Sequence, residues 1–566
     1  MSGPTAQPNF TDLQEIRDGS DCPKKCKKNK DRTDMLNALR EIAPPAVVLS
    51  VLSNSVNGEV LSIEQPPVEL NASFAALNSS AHASHGEAAA EKLAPLPPPI
   101  PDPASGPIIT GLPFVEPPII RSRNGVLKLG LTAQATPVRI SGKLVNARVY
   151  SASAFGREYP PSYVPPILVL DPGDNLQVTL KNGLGEPTNL HTHGFFISPS
   201  GNQDNIFVDL PPGGTFLYNY DLPSDLSPGL YWYHPHLHPL VEEQVFGGMA
   251  GYIYVRGLKK LLPEYLQDIP ERFVHLKDFQ VNKLNTIPAV NINSDAPTNR
   301  TVNGLVQPIM SMRAGETQLW HLGNIGADIW YNLEMPGLEF TVIAEDANPV
   351  DRTWTTAQLL MPPAKRYDVL VQAKKAGAYQ LITTQMNTGP WGDSYPETLL
   401  ATLNVTGPAK TPAILPTHIK PFDNLAHATV KQVRVFDLSE NPNTNRFFIN
   451  RRTFKPNHVD ATPETGTVEE WIFRNASLEL HPIHLHVNDA QVMSVNGIAQ
   501  DARSWVDTIP IPSATKDAQG HLIPGEVVMR FKFRKFVGPY VFHCHILAHE
   551  DHGMMSVINV TSPGSD

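Results

Sequence analysis

The sequence predicts an all-β chain that contains three consecutive β-sandwich domains. The main observation is a pattern that occurs three times, in which a Gly is followed by apolar residues at the fifth and seventh positions and by an Asn at the ninth. Alternation that ends in a turn residue is typical of a half-buried strand. The three copies begin at Gly173, Gly315 and Gly466. A second element, Gly-x-Tyr-x-apolar, follows in every copy, at Gly229, Gly377 and Gly538.

Composition supports this fold class and excludes several others. The chain has 566 residues, of which 55 are Pro and 18% are charged, so short strands and turns are expected rather than long helices or a coiled coil. At ~150 residues per domain, the length allows three to four folding units. The net charge of -10 gives no positive electrostatic field that would attract the phosphate backbone of a nucleic acid. The sequence also has no run of ~18 apolar residues that could span a bilayer. Nucleic-acid binding and a transmembrane segment are therefore not expected.

Residues 1–120 lack the periodic pattern, and we predict a disordered, Pro-rich arm there. The arm has a Lys-rich patch at 24–30 and ends with 10 Pro in the 25 residues from 94 to 118, which is typical of an extended linker. The domains are then predicted at 121–260, 261–410 and 411–566. Cys22 and Cys26 allow a metal site or a small disulfide, but a zinc site needs four ligands, so a solvated tail is favoured. The first residues do not resemble a secretory signal, and the cellular compartment stays open.

Histidine motifs distinguish the outer copies of the repeat from the middle one. They are His191-Thr-His193 and His234-Pro-His236 in the first copy, and His481-Pro-Ile-His484-Leu-His486 and His543-Cys544-His545 in the third. The middle copy has Asp328-Ile-Trp330 and Ile382-Thr-Thr384 at the matching places. A structural motif would recur in all three copies, so we interpret the histidines as functional. The middle domain is predicted to hold no metal ligand.

Strand alternation assigns Cys544 and its two neighbours to different sites. Adjacent side chains point to opposite faces of a strand, so His543 and His545 share one face and Cys544 lies on the other. A thiolate with two imidazoles and a weakly bound Met is the ligand set of a blue copper centre. The expected ligands of that centre are His481, Cys544, His549 and Met554. The eight other motif histidines are too many for one metal ion and suit three.

The four motifs HTHG, HPHLH, HPIHLH and HCHILAHEDHGMM, in this order, resemble the copper motifs of the multicopper oxidase family, notably its laccase-like bacterial branch. The resemblance covers residues 121–566, including the segment Pro362–Val369 of the middle domain. It implies three cupredoxin-like Greek-key domains and four copper ions per chain: one type 1, one type 2 and two type 3. Carried over by position, the type 2 ligands are His191 and His484, and the type 3 ligands are His193, His234, His236, His486, His543 and His545. The chain departs from the family at Thr192, where laccases usually have Trp, and at Val487-Asn488, where Gly-His is common.

Two acidic residues beside the histidine motifs are candidates for proton supply, which oxygen reduction requires. Asp204 follows HTHG and Glu550 follows His549, and both resemble acids of the family. For Asp204, an Asx turn within Gly201–Asn205 is an alternative. The candidate catalytic residues are thus Cys544, Glu550 and Asp204.

The resemblance implies an oxidase that takes electrons singly from a small reducing substrate, such as a phenol or an aromatic amine, and reduces O₂ to water. A metallo-oxidase acting on Cu(I), Fe(II) or Mn(II) is one alternative, although copper-efflux members of the family have a Met-rich insert and this chain has only 12 Met. A copper-binding protein without turnover is another. A copper nitrite reductase is disfavoured, because it has no need for the eight-histidine set. The substrate and the oligomeric state stay open.

Overall fold

The computed structural model describes residues 106–290 and 292–564, together with the short strand Val68–Glu69. Cys22, Cys26, the Lys-rich patch and most of the predicted arm lie outside the described residues. The regular secondary structure of the described residues is almost entirely strand, and most of the strands form three pairs of packed sheets. The all-β fold class predicted from the sequence is therefore confirmed.

The first domain consists of two five-stranded sheets. One contains, in spatial order, Arg157–Ser162, Lys143–Ala154, Val126–Ile140, Asn175–Gly183 and Thr215–Asp221. The other contains Ile119–Arg121, Ile167–Leu170, Gly251–Val255, Gly229–His234 and His191–His193. The core between them includes Leu127, Val178, Tyr218 and Met249. Met249 is thus a core residue, as its lack of a nearby Cys suggests.

The second domain has a six-stranded and a five-stranded sheet. The larger sheet contains Asn299–Val302, Glu271–Phe279, Thr317–Asn324, Arg366–Gln372, Phe340–Glu345 and Asn348–Thr356. The smaller sheet contains Ile309–Met312, Thr398–Val405, Gly377–Thr383, Tyr331–Glu334 and Gln358–Met361. A separate hairpin pairs Met386–Asn387 with Ser394–Tyr395. This hairpin reaches the third domain, where the N–H of Leu480 donates to the carbonyl of Thr388 at 2.7 Å.

The third domain has two six-stranded sheets. One contains Arg446–Ile449, Gln432–Asn441, Val468–Asn475, Gly525–Lys532, Ala490–Val495 and Ile498–Ala499. The other contains Val68–Glu69, His458–Ala461, Met555–Val560, Gly538–Cys544, His481–Leu485 and Thr508–Ile511. A small hairpin pairs Thr515–Lys516 with Leu522–Ile523. One hydrophobic cluster, which includes Trp320, Trp471 and Cys544, runs through the second and third domains.

Helices are short in the described part of the chain. The two α-helices are Val241–Gly247 and Leu547–Asp551, and the 3-10 helices are Leu258–Leu261, Glu264–Leu266 and Leu425–His427. None of the described helices is long and apolar enough to cross a membrane.

The Asn that ends each repeated pattern explains why the strand stops there. Asn182, Asn324 and Asn475 are completely buried, and each accepts a hydrogen bond from the backbone N–H two residues further on, at 2.9, 3.2 and 2.9 Å respectively. The side-chain amide then donates to a carbonyl oxygen four or five residues ahead. This is the local bonding by which Asn forms turns. The sequence pattern therefore corresponds to one strand and turn built three times.

The end of the predicted arm is more ordered than the sequence suggests. Residues 106–120 follow an extended path across the first two domains, where the backbone N–H of Ile109 donates to Ser141 and that of Phe114 donates to Ile309, at 2.7 and 2.9 Å. Proline offers no N–H, but the residues between the prolines do. An extended Pro-rich segment can therefore still bond to the edges of both domains.

Candidate metal centres

Two pairs of adjacent strands place the histidine motifs. In the first domain, His191–His193 pairs antiparallel with Gly229–His234, with His191 opposite His234. In the third domain, His481–Leu485 pairs antiparallel with Gly538–Cys544, with His484 opposite His543. The eight histidines outside the predicted type 1 set come together in one buried cluster contributed by both domains. They are His191, His193, His234, His236, His484, His486, His543 and His545.

Three of these imidazoles converge on one point. The Nε2 atom of His236 lies 3.1 Å from Nε2 of His543 and 3.1 Å from Nε2 of His486, and the last two are 3.2 Å apart. A neutral imidazole has one donor and one acceptor nitrogen, so three Nε2 atoms cannot satisfy one another around a triangle. A metal ion at the centre of the triangle would satisfy all three at once.

The other five imidazoles form overlapping groups. His191, His193 and His234 bring ligand nitrogens within 4.8 Å of one another, and so do His191, His484 and His486. His545 lies beside them, with ring centroids 5.0 Å from His193. Because single histidines belong to two groups, the division into type 2 and type 3 ligands stays a prediction.

Unpartnered nitrogens in this cluster fit metal binding. Buried polar atoms are nearly always hydrogen-bonded in folded proteins, yet Nε2 of His191, His234 and His484 and both ring nitrogens of His545 are buried without a hydrogen-bond partner. Burial lowers the pKa of His234 and of His484 to about 3. The imidazoles are therefore neutral, each with a free lone pair, which is the state that binds a metal ion.

A second centre lies on the opposite face of the same strand. Sγ of Cys544 is 3.7 Å from Nδ1 of His481 and 3.7 Å from Nδ1 of His549, and these two nitrogens are 3.2 Å apart. Met554 is buried in the same hydrophobic cluster as Cys544, whereas Met555 packs in a different one. Burial raises the pKa of the Cys544 thiol, so a cation is needed to hold it as the thiolate that copper binds. The structure thus brings together His481, Cys544 and His549, three of the four residues predicted for the blue copper centre, while the axial role of Met554 stays a prediction.

The Nε2 atoms of His481 and His549, which face away from Cys544, have polar neighbours that the sequence did not indicate. The hydroxyl of Ser477 is 2.7 Å from Nε2 of His481. Glu479 approaches Nε2 of His549 at 3.7 Å, and Phe447 stacks on the His549 ring with centroids 3.9 Å apart. Glu479 lies two residues before His481 in the chain, which is the one signal that sequence reasoning could have used.

Glu440 joins Glu479 at this edge. Its carboxylate is 4.0 Å from Nε2 of His481 and lies within hydrogen-bonding reach of Glu479. Burial raises the pKa of Glu479 to about 9, with the charge of Glu440 adding to the effect, and burial raises the pKa of Glu440 to about 7. Two adjacent carboxylates repel each other, whereas a pair that shares one proton forms a hydrogen bond. A cation beside the pair would take the place of that proton.

The two predicted acids both lie against cluster histidines. Asp204 Oδ2 is 2.9 Å from Nδ1 of His191, and Oδ1 accepts hydrogen bonds from the backbone N–H and the hydroxyl of Thr192. The carboxylate therefore bonds to the histidine motif instead of forming an Asx turn. Burial raises the pKa of Asp204 to about 7. Glu550 is fully buried, 2.9 Å from Nδ1 of His543 and 3.4 Å from Nδ1 of His236.

Arg366 and Asp507 support the histidine cluster, and sequence reasoning missed both. The guanidinium group donates two hydrogen bonds to Asp507, at 2.6 and 2.7 Å. Asp507 in turn lies 3.3 Å from Nε2 of His193, and its backbone carbonyl is 2.8 Å from Nδ1 of His484. Gly194 leaves room for this pair, because a Cβ there would lie 2.7 Å from the guanidinium and 2.8 Å from the carboxylate. Only Arg366 lies in a segment that the sequence singled out.

At Val487-Asn488, where the chain departs from the family, the backbone is strained. Val487 has a φ of 66°, in the left-handed region that favours Gly and strains a β-branched residue. The N–H of Asn488 donates to the carbonyl of His486 at 2.7 Å, and its side chain donates to the hydroxyl of Tyr540 at 2.6 Å. These bonds hold the backbone directly after the cluster residue His486.

His238 and His552 lie beside the motifs, as expected, and outside both centres. His238 Nδ1 is 3.7 Å from a carboxylate oxygen of Asp551, and burial lowers the pKa of His238 to about 4. His552 is exposed and its Nδ1 bonds the carbonyl of Ala548.

Comparisons with known proteins agree with this arrangement. Family models described as multicopper oxidase match residues 158–260, 272–407 and 427–564. The chain is 25% identical to the multicopper oxidase mco of Staphylococcus aureus, over 78% of this chain and 90% of the relative, and 26% identical to a laccase of Bacillus subtilis, over 61% and 73%. Among solved structures, the multicopper oxidase of Campylobacter jejuni, described as a metallo-oxidase, superposes with a TM-score of 0.68 at 24% identity, covering 83% of this chain and 99% of the other. The three domains are therefore cupredoxin-like, as the motifs imply.

Proposed function

This chain belongs to the multicopper oxidase family, and we propose that it couples one-electron oxidation of a small reducing substrate to the four-electron reduction of O₂ to water. Its relatives support an oxidoreductase that uses O₂. Membership of the family implies copper, and we propose four ions per chain. When bound, they would accept electrons singly at the Cys544 centre and deliver them to O₂ at the histidine cluster.

One observation supports this proposal most strongly: a single strand serves both centres. Cys544 points into the blue copper ligand set, while its neighbour His543 belongs to the triangle with His236 and His486. Only backbone separates the thiolate from the imidazoles on either side. This arrangement gives electrons a short covalent path through Cys544 to His543 and His545, which a protein that merely stores copper would not need.

The acids have distinct roles in the proposed reaction. Reduction of O₂ to two waters consumes four protons, so a buried site needs groups that supply them. We propose that Glu550, between His543 and His236, and Asp204, against His191, hold and donate these protons. Thr192 positions Asp204 through two hydrogen bonds to one oxygen. Arg366 and Asp507 keep His193 and His484 in place.

Oxidation of phenols or aromatic amines is the substrate class first expected for this chain, and oxidation of Cu(I), Fe(II) or Mn(II) is the main alternative. The carboxylates Glu440 and Glu479 beside the electron-entry imidazoles favour a donor with positive charge. A protein that binds copper without turnover would show no O₂ consumption with any donor.

The test is O₂ consumption by copper-loaded protein with a panel of donors. Metal analysis should give four copper ions per chain, and O₂ uptake should accompany oxidation of at least one of a phenol, an aromatic amine, Cu(I), Fe(II) and Mn(II). Protein stripped of copper by a chelator is the control, and reloading should restore uptake. Full copper loading without uptake for any donor would contradict the proposed function.

A further inference from the structure

The helix Leu547–Asp551 contains one residue of each proposed centre, and its first turn has no cap from its own domain. The residue before the helix, Ile546, makes no side-chain hydrogen bond to it, although the first N–H groups of an α-helix have no acceptor within the helix. The helix includes His549 of the blue copper centre and Glu550 of the histidine cluster. The groups that bond these N–H donors therefore help to decide where both residues lie.

The cap comes from the middle domain. Oδ1 of Asp328 accepts a hydrogen bond from the N–H of Ala548 at 3.1 Å, as the side-chain oxygen of a helix cap does. The carbonyl oxygen of Ala327 accepts from the N–H of Leu547 at 3.2 Å. Asp328 is completely buried and belongs to the Asp328-Ile-Trp330 segment, which stands in the middle copy of the repeat where the outer copies have histidines. The middle domain thus caps a helix of the third.

Apolar packing holds the start of the helix at the same junction. The side chain of Leu547 is fully buried in a hydrophobic cluster that also contains Ile325 and Ala327 of the middle domain, and Val241 and Val245 of the first domain. Most of the core of the third domain belongs to a different cluster. The first turn of the helix is therefore fixed against the other two domains by apolar contacts as well as by hydrogen bonds.

The far end of the helix makes a second cap of the same kind. Oδ2 of Asp551 accepts a hydrogen bond from the N–H of Glu242 at 2.7 Å. Glu242 lies in the first turn of the helix Val241–Gly247, which also has no side-chain cap of its own. Both α-helices in the described part of the chain are thus capped by an aspartate of another domain. The helix Leu547–Asp551 is held at its start by the middle domain and at its end by the first.

The position of Glu550 depends on this helix more than that of His549 does. The ring of His549 is also held by Phe447, which stacks on it with centroids 3.9 Å apart. The carboxylate of Glu550 lies 2.9 Å from Nδ1 of His543 and 3.4 Å from Nδ1 of His236. Among the described residues, however, neither of its oxygens has a partner with good hydrogen-bond geometry. The helix backbone therefore decides most of where this carboxylate lies.

We propose that Asp328 is a positioning residue for O₂ reduction: its cap on the helix Leu547–Asp551 places the carboxylate of Glu550 between His543 and His236. This inference rests on the proposed function, in which Glu550 supplies protons. The cap uses one oxygen of Asp328, and the other, Oδ2, is buried without a hydrogen-bond partner. Asn has the same acceptor oxygen and is also a good helix cap. Asn should therefore replace Asp328 in this role, whereas Ala should not.

The test compares Asp328→Ala with Asp328→Asn in the full, copper-loaded chain, with copper analysis of each variant. Asp174→Ala is the matched control: Asp174 is also buried and also accepts a backbone N–H, that of Asp171 at 2.7 Å, but in a turn between two strands of the first domain. Deuterium exchange of the backbone N–H groups of residues 546–552 reports on the cap and needs no activity. Stopped-flow absorption then gives two rates: reduction of the blue centre by a donor without O₂, and reoxidation of the fully reduced protein by O₂.

In Asp328→Ala we expect the helix N–H groups to exchange about tenfold faster or more, because their acceptor is lost. Reoxidation by O₂, which consumes protons, should be about tenfold slower or more, while reduction by the donor changes less than about twofold. Asp328→Asn and Asp174→Ala should match the wild-type protein in all three measurements. If Asp328→Ala does not fold, Asp328→Ser, whose hydroxyl is one atom shorter than the carboxylate, takes its place with the same expectations.

Three results would overturn the inference. Unchanged exchange in Asp328→Ala would show that Asp328 does not hold the helix, and faster exchange with unchanged reoxidation would show that the cap does not govern Glu550. Reoxidation as slow in Asp328→Asn as in Asp328→Ala would mean that Asp328 acts through its charge. A wild-type protein that O₂ does not reoxidise would instead contradict the proposed function, and the exchange rates would still decide whether Asp328 caps the helix.

Discussion

Arg366 and Asp507 form a completely buried, bidentate ion pair between the middle and third domains, with N–O distances of 2.6 and 2.7 Å. Asp507 also contacts His193, which the first domain contributes. The middle domain thus fixes the position of a residue at the junction of the other two. The guanidinium of Arg366 also donates to the backbone carbonyl of Leu230 in the first domain. The backbone N–H of Arg366 donates to the carboxylate of Asp346 within the middle domain.

Arg366→Met should destabilise the protein strongly, because it leaves the Asp507 carboxylate buried without its partner. Breaking a buried ion pair costs about 3–5 kcal/mol of unfolding free energy. Arg352→Met is the matched control: one guanidinium nitrogen of Arg352 donates to both carboxylate oxygens of Asp501, but at the surface, where such pairs contribute about 0–1 kcal/mol. Denaturant unfolding and copper analysis would measure both effects. Equal losses for the two variants would show that burial of the Arg366 pair has no special importance.

Cys544→Ser should remove the blue absorption and donor oxidation while most copper at the histidine cluster stays bound. The reason is that Cys544 and its neighbours His543 and His545 point to opposite faces of the strand. Copper analysis together with the absorption spectrum checks this. Loss of all copper from the variant would mean that the two centres do not bind independently.

The strand pattern and the histidine motifs could be predicted from the sequence because both depend on local rules. Alternation places Cys544 and His543 on opposite faces of their strand. The buried Asn at the end of each repeat makes the same turn three times. Arg366 and Asp507 are 141 residues apart and Glu440 and Glu479 lie on different parts of the third domain, so their meeting depends on packing that no local pattern encodes. The order at the Pro-rich end of the arm could not be predicted from the local sequence, because this segment forms its hydrogen bonds with sheet edges that are distant in the chain.

Asp204→Asn should lower turnover by about 10²–10⁴-fold, the range for loss of a positioned proton donor, while the blue absorption is retained. Burial raises the pKa of Asp204 to about 7, so its acid form is present below that pH and is lost as the pH rises through it. The wild-type kcat should therefore fall as the pH rises past about 7, and the Asn variant should lack this step. Asp221→Asn, at an exposed strand end, is the control. A pH profile of unchanged shape in Asp204→Asn would remove this residue from proton supply.

Met554→Leu should raise the reduction potential of the Cys544 centre and keep its blue colour. A thioether ligand stabilises the oxidised metal relative to no ligand, so its removal favours the reduced form. Redox titration of the variant measures the change, and Met555→Leu serves as the control because Met555 packs in a different cluster. An unchanged or lower potential in Met554→Leu would show that Met554 is not the axial ligand.

The most direct test of the proposed reaction is a single reoxidation of the fully reduced, copper-loaded protein by O₂ in a stopped-flow instrument. If electrons pass from the Cys544 centre to the histidine cluster, the blue absorption should return completely, with one O₂ consumed for four electrons and no hydrogen peroxide released. Absorption that stays bleached in excess O₂, or release of one peroxide for every two electrons, would contradict the coupling of the two centres.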